Sequence, residues 1–222
     1  AIPNDNRTTL FTSQIYYSAD VNKQHGYTGG VQVHRKEIRS NDRGNHSLWH
    51  TAAYSIFRHK FKNGFYLNES LRLDWDESYG WILSPQLNIA WAPSKLTLRS
   101  SVGRSFRDAD FTERYNNYNK ELVTSGRIGN PDLEAEQSWN AEIGADYNFS
   151  ARFRISGSIF YSDHSNLIVR ATTPYADMPR KSNLLPTGNY ALAKNIEEVK
   201  TTGAELDMIY NEKLGKHASL LA

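Results

Sequence analysis

The 222 residues include no cysteine, only two methionines and seven prolines. Without thiols, disulfide scaffolds, thiolate zinc sites and cysteine catalysis are excluded together. Long hydrophobic runs are lacking as well. No window approaches the ~18 to 20 uninterrupted apolar residues that a spanning helix needs, which excludes a helical membrane protein. Charge of one sign is missing too: 26 basic against 24 acidic residues leave +2. The basic residues are scattered, so there is no electrostatic footprint for nucleic acid. The first residues, Ala1-Ile2-Pro3, have neither the basic nor the apolar region of a targeting peptide. Aromatics are present in excess, 12% of the chain with thirteen Tyr and five Trp, against a mean hydropathy of −0.65.

Period two runs along most of the sequence and predicts strands. From Gly64 to Asp76, the residues Phe65, Leu67, Leu71, Leu73 and Trp75 fall on one parity, spoiled only by Glu69, against Tyr66, Asn68, Ser70, Arg72 and Asp74 on the other. Tyr79 to Trp91 repeats the pattern, with Ile82 as the one large apolar residue on the polar side. Trp139 to Phe149 and Phe153 to Tyr161 alternate in the same way. Weaker alternation covers Thr8 to Ala19, Tyr27 to Ile38, Leu96 to Phe106 and Thr202 to Tyr210, and Trp49 to Phe61 has strand composition without a clean parity. A short helix is expected only at Asp110 to Asn117.

The links alternate in length. Short ones are expected near Lys62-Asn63-Gly64, Ala92-Pro93-Ser94, Asn148 to Arg152 and Glu212 to His217. Between them lie Ser40 to Ser47, Asp76 to Tyr79, and long links from Arg107 to Glu134 and Ala171 to Asn189. Tight turns at one end and long loops at the other are the layout of an outer-membrane barrel. Aromatic placement separates that reading from a soluble sandwich: in a lipid-facing band, Trp and Tyr gather at the two interfaces with aliphatics between. Trp81 and Trp91 bracket Leu83, Leu87 and Ile89. At ~3.3 Å per residue and a tilt of ~40°, that step rises roughly 25 Å, the height of the apolar band. The fold class expected is therefore all-β, an antiparallel up-and-down transmembrane β-barrel, incomplete at about nine to ten strands. Pro85 removes a ladder donor in mid-strand and calls for a bulge. Arg104 and Glu69, on lipid-facing parities, call for positions near an interface.

Three motifs carry a family resemblance. Val102-Gly103-Arg104-Ser105-Phe106-Arg107, with Ala109, Phe111 and Glu113-Arg114-Tyr115 after it, resembles a strand-and-loop segment of TonB-dependent outer-membrane receptors. Gly129-Asn130-Pro131-Asp132-Leu133-Glu134-Ala135-Glu136, followed by Glu142 and Gly144, is similar to that family's Gly-Asn-Pro-x-Leu strand start. Ala193-Lys194-Asn195 with Gly203-Ala204-Glu205 is similar to its Asn, spacer, Gly-hydrophobic-Glu strand. Asp108-Ala109-Asp110 departs from the usual Ala-Pro. The resemblance implies that residues 1–222 are part of one barrel domain in the outer membrane of a Gram-negative bacterium, with plug and closing strands supplied elsewhere, since a family barrel has about 22 strands and open edges in hydrocarbon are costly.

It also implies a transporter rather than an enzyme. Its expected cargo is a scarce bulky nutrient, with cobalamin favoured over a ferric siderophore or haem. The expected partners are the bilayer, the rest of the receptor with its plug, TonB acting through that plug, the cobalamin or metal-chelate ligand, and a surface lipoprotein. The ligand-binding candidates lie on outer loops. Tyr115, Asn116, Asn117 and Tyr118 interleave aromatic faces with amides suited to a flat, polar-edged ligand, and Tyr175 and Arg180 add a ring and a cation for a carboxylate or phosphate. No cofactor is required; Asp74, Asp76 and Glu77 at an expected hairpin tip are the candidate calcium ligands. His46 and His50 flank an expected loop-to-strand boundary, where a shared metal is disfavoured. Two further readings are a glycan-binding or adhesive β-sheet protein and a glycoside hydrolase using Glu142 with Asp146, or Glu205 with Asp207. In a wet barrel interior those carboxylates would instead pair with Arg99, Arg152 or Arg154.

Overall fold

The computed structural model of the chain describes residues 4–186, 188–213 and 219–221. In chain order the elements are β1 (Asn6–Asp20), β2 (His25–Ser40), β3 (Gly44–Lys60), β4 (Phe65–Asp76), β5 (Gly80–Trp91), β6 (Leu96–Arg107), α1 (Phe111–Tyr115), β7 (Arg127–Ile128), β8 (Glu136–Asn148), β9 (Phe153–Pro174), β10 (Asn189–Lys213) and β11 (Ser219–Leu221). The strands form one sheet in sequence order, each antiparallel to the next, except that β7 sits off the path as a parallel partner of β10. The sheet is an unclosed β-barrel segment, with β1 on one edge and β11 on the other.

Links 21–24, 61–64, 92–95 and 149–152 close one end of the sheet with four residues each. Gly64 makes one of these turns possible. It adopts φ +71°, and a Cβ there would lie 2.4 Å from the Ala92 carbonyl oxygen of the adjacent turn, so a side chain is barred twice. Links 41–43, 77–79, 108–135 and 175–188 lie at the other end, which is the outer one by the length of its loops. The expected link from Ser40 to Ser47 shrinks to the turn 41–43, and β9 runs on to Pro174 before the second long loop. The short link expected at Glu212 to His217 falls largely outside the described residues.

Registers preserve the two faces across the sheet. Ile15 pairs with Val31, Val31 with Ala53, Ala53 with Leu73 and Leu73 with Leu83; Ile143 pairs with Ile159. These side chains share the face on which Trp81, Trp91, Trp139, Ile143 and Leu206 are exposed. A sheet that leaves such residues bare while burying Asp74 completely is turned inside out relative to a water-soluble fold, as a lipid-facing wall requires. β3 blurred its parity because its polar-side positions hold Ala52, Tyr54 and Ile56. Tyr54 stays on that face by accepting Gln14 Nε2 at 2.6 Å.

Pro85 introduces no bulge. The β4–β5 register runs unbroken from Phe65↔Trp91 to Asp76↔Gly80, whereas the β5–β6 ladder ends at Gln86↔Gly103. A missing N–H is tolerated where pairing stops. Beyond it Arg104, at the outer end as its parity required, donates to the Leu83 carbonyl at 3.2 Å, and the Phe106 ring turns to lie 5.6 Å from Tyr79. Glu69 does not reach an interface. It sits between Phe57 and Leu87 in the ladder, with the His59 ring 3.9 Å away.

Candidate functional site

The three motifs separate in sequence meet at the outer rim. Their centre is Arg114, 1% exposed, on a helix begun by a capping box between Asp110 and Glu113. Its guanidinium donates to the carbonyls of Pro131 at 2.7 Å and Leu133 at 2.9 Å, to Asp108 Oδ1 at 2.7 Å and to Ser78 Oγ at 3.2 Å. One side chain thus ties both arms of the 108–135 loop to each other and to the tip of the β4–β5 hairpin. Burial pushes the Asp108 carboxyl above the usual carboxylate range, against the pull of Arg114. Gly129 packs so closely against α1 that a Cβ would sit 2.4 Å from the Tyr115 nitrogen. Asn195, from the third motif, donates to the carbonyls of Glu134 and Asn166 and accepts from the Glu134 N–H. Ala109, Leu133 and Ala193 form a small core beneath, with Ile168 against it. Arg107 completes the anchor, forked between Glu136 and Glu113.

The second long loop packs onto the first. Val123, Ile128, Met178, Leu184, Tyr190 and Leu192 make a core between the loops and strands β7 and β10, with Tyr175 against its side. The Tyr190 hydroxyl donates to the carbonyls of Val123 and Leu185, both at 2.9 Å. The two loops are therefore one layer, which sequence alone did not indicate beyond the apolar residues scattered through polar segments.

All six expected ligand residues belong to this layer, and five of them lie together. Tyr115 stacks on His46 at 3.5 Å, nearly parallel, and burial pushes its hydroxyl above the usual range. Tyr118 lies edge-on to Tyr115 at 5.7 Å and carries the Arg180 guanidinium 3.8 Å above its ring. Arg180 also donates to the Tyr118 carbonyl at 2.8 Å. The amides of Asn116 and Asn117 both donate to the Arg127 carbonyl, so they hold the loop's shape and present few free donors. Tyr175 stands apart from them, with Lys181 over its ring.

The acidic candidates are placed differently from expectation. Asp74 is not at a tip but fully buried on β4, bonded to His50 at 2.8 Å and to Arg72. Asp76 accepts from the Ser78 N–H and hydroxyl, and Glu77 accepts from the Trp49 N–H. Each carboxylate is thus spent on protein donors. Among the described residues no group of three His, Cys, Asp or Glu side chains could hold a metal ion. His46 and His50 both lie within β3, not at its boundary. They serve a stack on Tyr115 and an ion pair with Asp74 respectively. Tyr79, held near His50, has its hydroxyl pushed up by burial.

Inside the wall, Arg99 bridges Glu142 at 2.5 Å and Asp146 at 3.3 Å, and Arg154 meets Asp146 at 3.2 Å. Gly144, directly opposite Arg99, gives the guanidinium room to lie across the strand. Arg152 pairs with Glu212 instead. These carboxylates are held as counter-ions by cations, the reverse of an acid and a base kept apart for glycoside cleavage.

The sequence matches the family described as TonB dependent receptor-like, β-barrel, over residues 3–221. It is 31% identical over 139 residues to the iron-regulated outer membrane virulence protein of Vibrio cholerae serotype O1, covering 60% of this chain and 21% of that protein. The fold is similar to the siderophore receptor PirA from Pseudomonas aeruginosa, with a TM-score of 0.72 at 19% identity, over 97% of this chain and 39% of that one. It is also similar to the FrpB iron transporter from Neisseria meningitidis (F3-3 variant), with a TM-score of 0.70 at 19% identity, over 95% and 34%. The chain spans roughly a fifth of its curated relative and less than two fifths of either solved receptor.

Proposed function

This chain belongs to the TonB-dependent receptor-like β-barrel family, and from that membership we propose that it is wall and outer rim of an outer-membrane receptor importing chelated iron. The observation that carries the reading is the 31% identity to an iron-regulated outer-membrane protein, joined to a rim where Tyr115, Tyr118 and Arg180 converge. A ferric chelate is bulky and commonly anionic. Aromatic faces and a guanidinium suit it, provided the ligand displaces Arg180 from its perch on Tyr118. Cobalamin, favoured from the sequence, finds no specific support among the relatives, so the iron-chelate class replaces it as the first reading. Uptake would be energised by TonB acting on a plug that the remainder of the receptor contributes, and a surface lipoprotein is a further partner. No bond is made or broken in this reading, and the Arg99 cluster serves as wall structure.

The test is a titration of the intact receptor with a ferric siderophore, haem and cobalamin. Saturable binding of the ferric chelate, weakened about 5- to 20-fold by Arg180→Ala, is expected. Saturation by cobalamin with no response to the ferric chelate would overturn the ligand class.

A further inference from the structure

The outer end of β1 and β2 carries a pattern that neither ligand uptake nor wall packing uses. Arg7 and Arg39 are directly opposite in the antiparallel ladder, both exposed and both on the lipid-facing parity of Ile15, Val31 and Phe11. Side chains so paired have Cβ atoms about 4.5 to 5.5 Å apart, and like charges there repel. Among the described residues neither guanidinium has an ion pair or a side-chain hydrogen bond. The carboxylates nearby do not relieve them: Glu37 is taken by Arg35 at 2.5 Å, and Asp5, just before β1, contacts neither through its side chain.

Height specifies what would. Arg35 lies over the Trp49 ring at 5.2 Å, and Trp49 pairs with it across the ladder, at the level where aromatics mark the outer interface. Arg39 is four residues further along β2, roughly 10 Å higher at ~3.3 Å per residue and a tilt of ~40°. Guanidiniums on long stems reach back from there to the headgroup layer, which begins where the ~30 Å hydrocarbon core ends. Paired planar forks on that face match phosphate oxygens bidentately.

We propose that Arg7 and Arg39 form a binding site for the phosphate of an outer-leaflet lipid headgroup, with Arg35 and Trp49 as its lower edge. The site rests on the outer-membrane placement of the chain and not on the nature of the imported ligand. A lipid phosphate neutralises the opposed cations and fastens this edge of the wall to the leaflet, which a freely diffusing anion would not do.

The experiment uses the intact receptor, delipidated in mild detergent and re-exposed to bisphosphorylated lipid A or to its dephosphorylated form, with retained lipid counted by native mass spectrometry. Wild type should retain the phosphorylated lipid at least about tenfold more than the R7Q/R39Q double variant, with R39K between them. The dephosphorylated form should stay at background, and inorganic phosphate at about 10 mM should displace less than half of the bound lipid. Heat-modifiable gel mobility checks that each variant is a folded barrel, and unchanged ferric-chelate binding in the double variant keeps this test separate from the uptake reading. Equal retention by wild type and the double variant would overturn the proposal. So would retention of the dephosphorylated lipid, or a wild type that retains nothing because a neighbouring strand supplies Arg7 with a carboxylate. Full displacement by inorganic phosphate would reassign the site to a free anion.

Discussion

Replacing Arg114 by alanine removes the one side chain that ties both arms of the 108–135 loop to the β4–β5 hairpin. The loss can be worked from its contacts. The Pro131 and Leu133 carbonyls lose a charged donor, and Asp108, whose side chain is 10% exposed, is left as a buried carboxylate without its partner. Breaking a buried pair by removing one member costs about 3 to 5 kcal/mol. If the loss falls on the loop layer alone, its opening equilibrium rises by roughly two to three and a half powers of ten, at ~1.4 kcal/mol per decade. Hydrogen exchange of the intact receptor reads this directly as lost protection at residues 111–134 with the strand amides of β8 and β9 unchanged.

Protonation should modulate the defect in a defined direction. Asp108 titrates above its ordinary value in the fold because burial outweighs Arg114, and without Arg114 the upward push loses its main opponent, with Lys36 a lesser one. A carboxyl raised in the folded state contributes stability that is present at low pH and lost as pH rises through the folded value. The Arg114→Ala loop should therefore be better protected at acidic than at neutral pH, and Asp108→Asn added to it should recover part of the loss at neutral pH. Unchanged protection of 111–134 in the single variant, or a second substitution that only deepens the defect, would refute the account of Arg114 as the anchor.

Other perturbations address the wall and the second loop. Leu87→Arg puts a cation in mid-band on the lipid face and should cost about 2 to 4 kcal/mol in urea refolding into bilayers, whereas Asn88→Arg, one residue on and facing the interior, should cost under about 1 kcal/mol; equal costs would reverse the face assignment. Gly144→Val drives a Cβ to 2.5 Å from the Arg99 guanidinium, which can swing aside into the interior, and should cost about 1 kcal/mol or less through the disturbed Glu142 and Asp146 pairs. Gly157→Ala, with no neighbour closer than 3.7 Å, should fall within about 0.5 kcal/mol, read from the same refolding curves. Tyr190→Phe leaves the Leu185 carbonyl without its hydroxyl donor, while the Val123 carbonyl keeps the Leu185 N–H. It should cost about 1 to 3 kcal/mol, seen as faster proteolysis within 175–188 while the barrel stays resistant.

Which parts of this were legible in advance follows from how local their causes are. Strand positions came through because alternation is written residue by residue, and Trp81 to Trp91 showed the band height within a single strand. The capping box that starts α1 lies within four consecutive residues, and a short helix was expected there. Ile82 looked misplaced in its strand. It is buried in the structure, lining a small cavity with Pro131, Leu133 and Ala135 of the loop layer, a partner fifty residues away that no periodicity announces. Asp74 read as a solvated tip for the same reason, since only the packing of β3 beside β4 sets His50 against it.

By itself, then, the sequence determined an antiparallel wall with one face for lipid and one for water, its tight and loose ends, and its family, because periodicity, turn residues and contiguous motifs are short-range properties. The tertiary structure decided what the motifs are for. Arg114, Gly129 and Asn195 converge into an anchor for the loops, the Tyr and Asn run spends its amides on holding its own shape, and Arg7 meets Arg39 across a ladder. Each of those outcomes depends on register and loop closure between residues ten or more positions apart, where a hydrogen bond or a like-charge contact exists only once the chain has been brought back on itself.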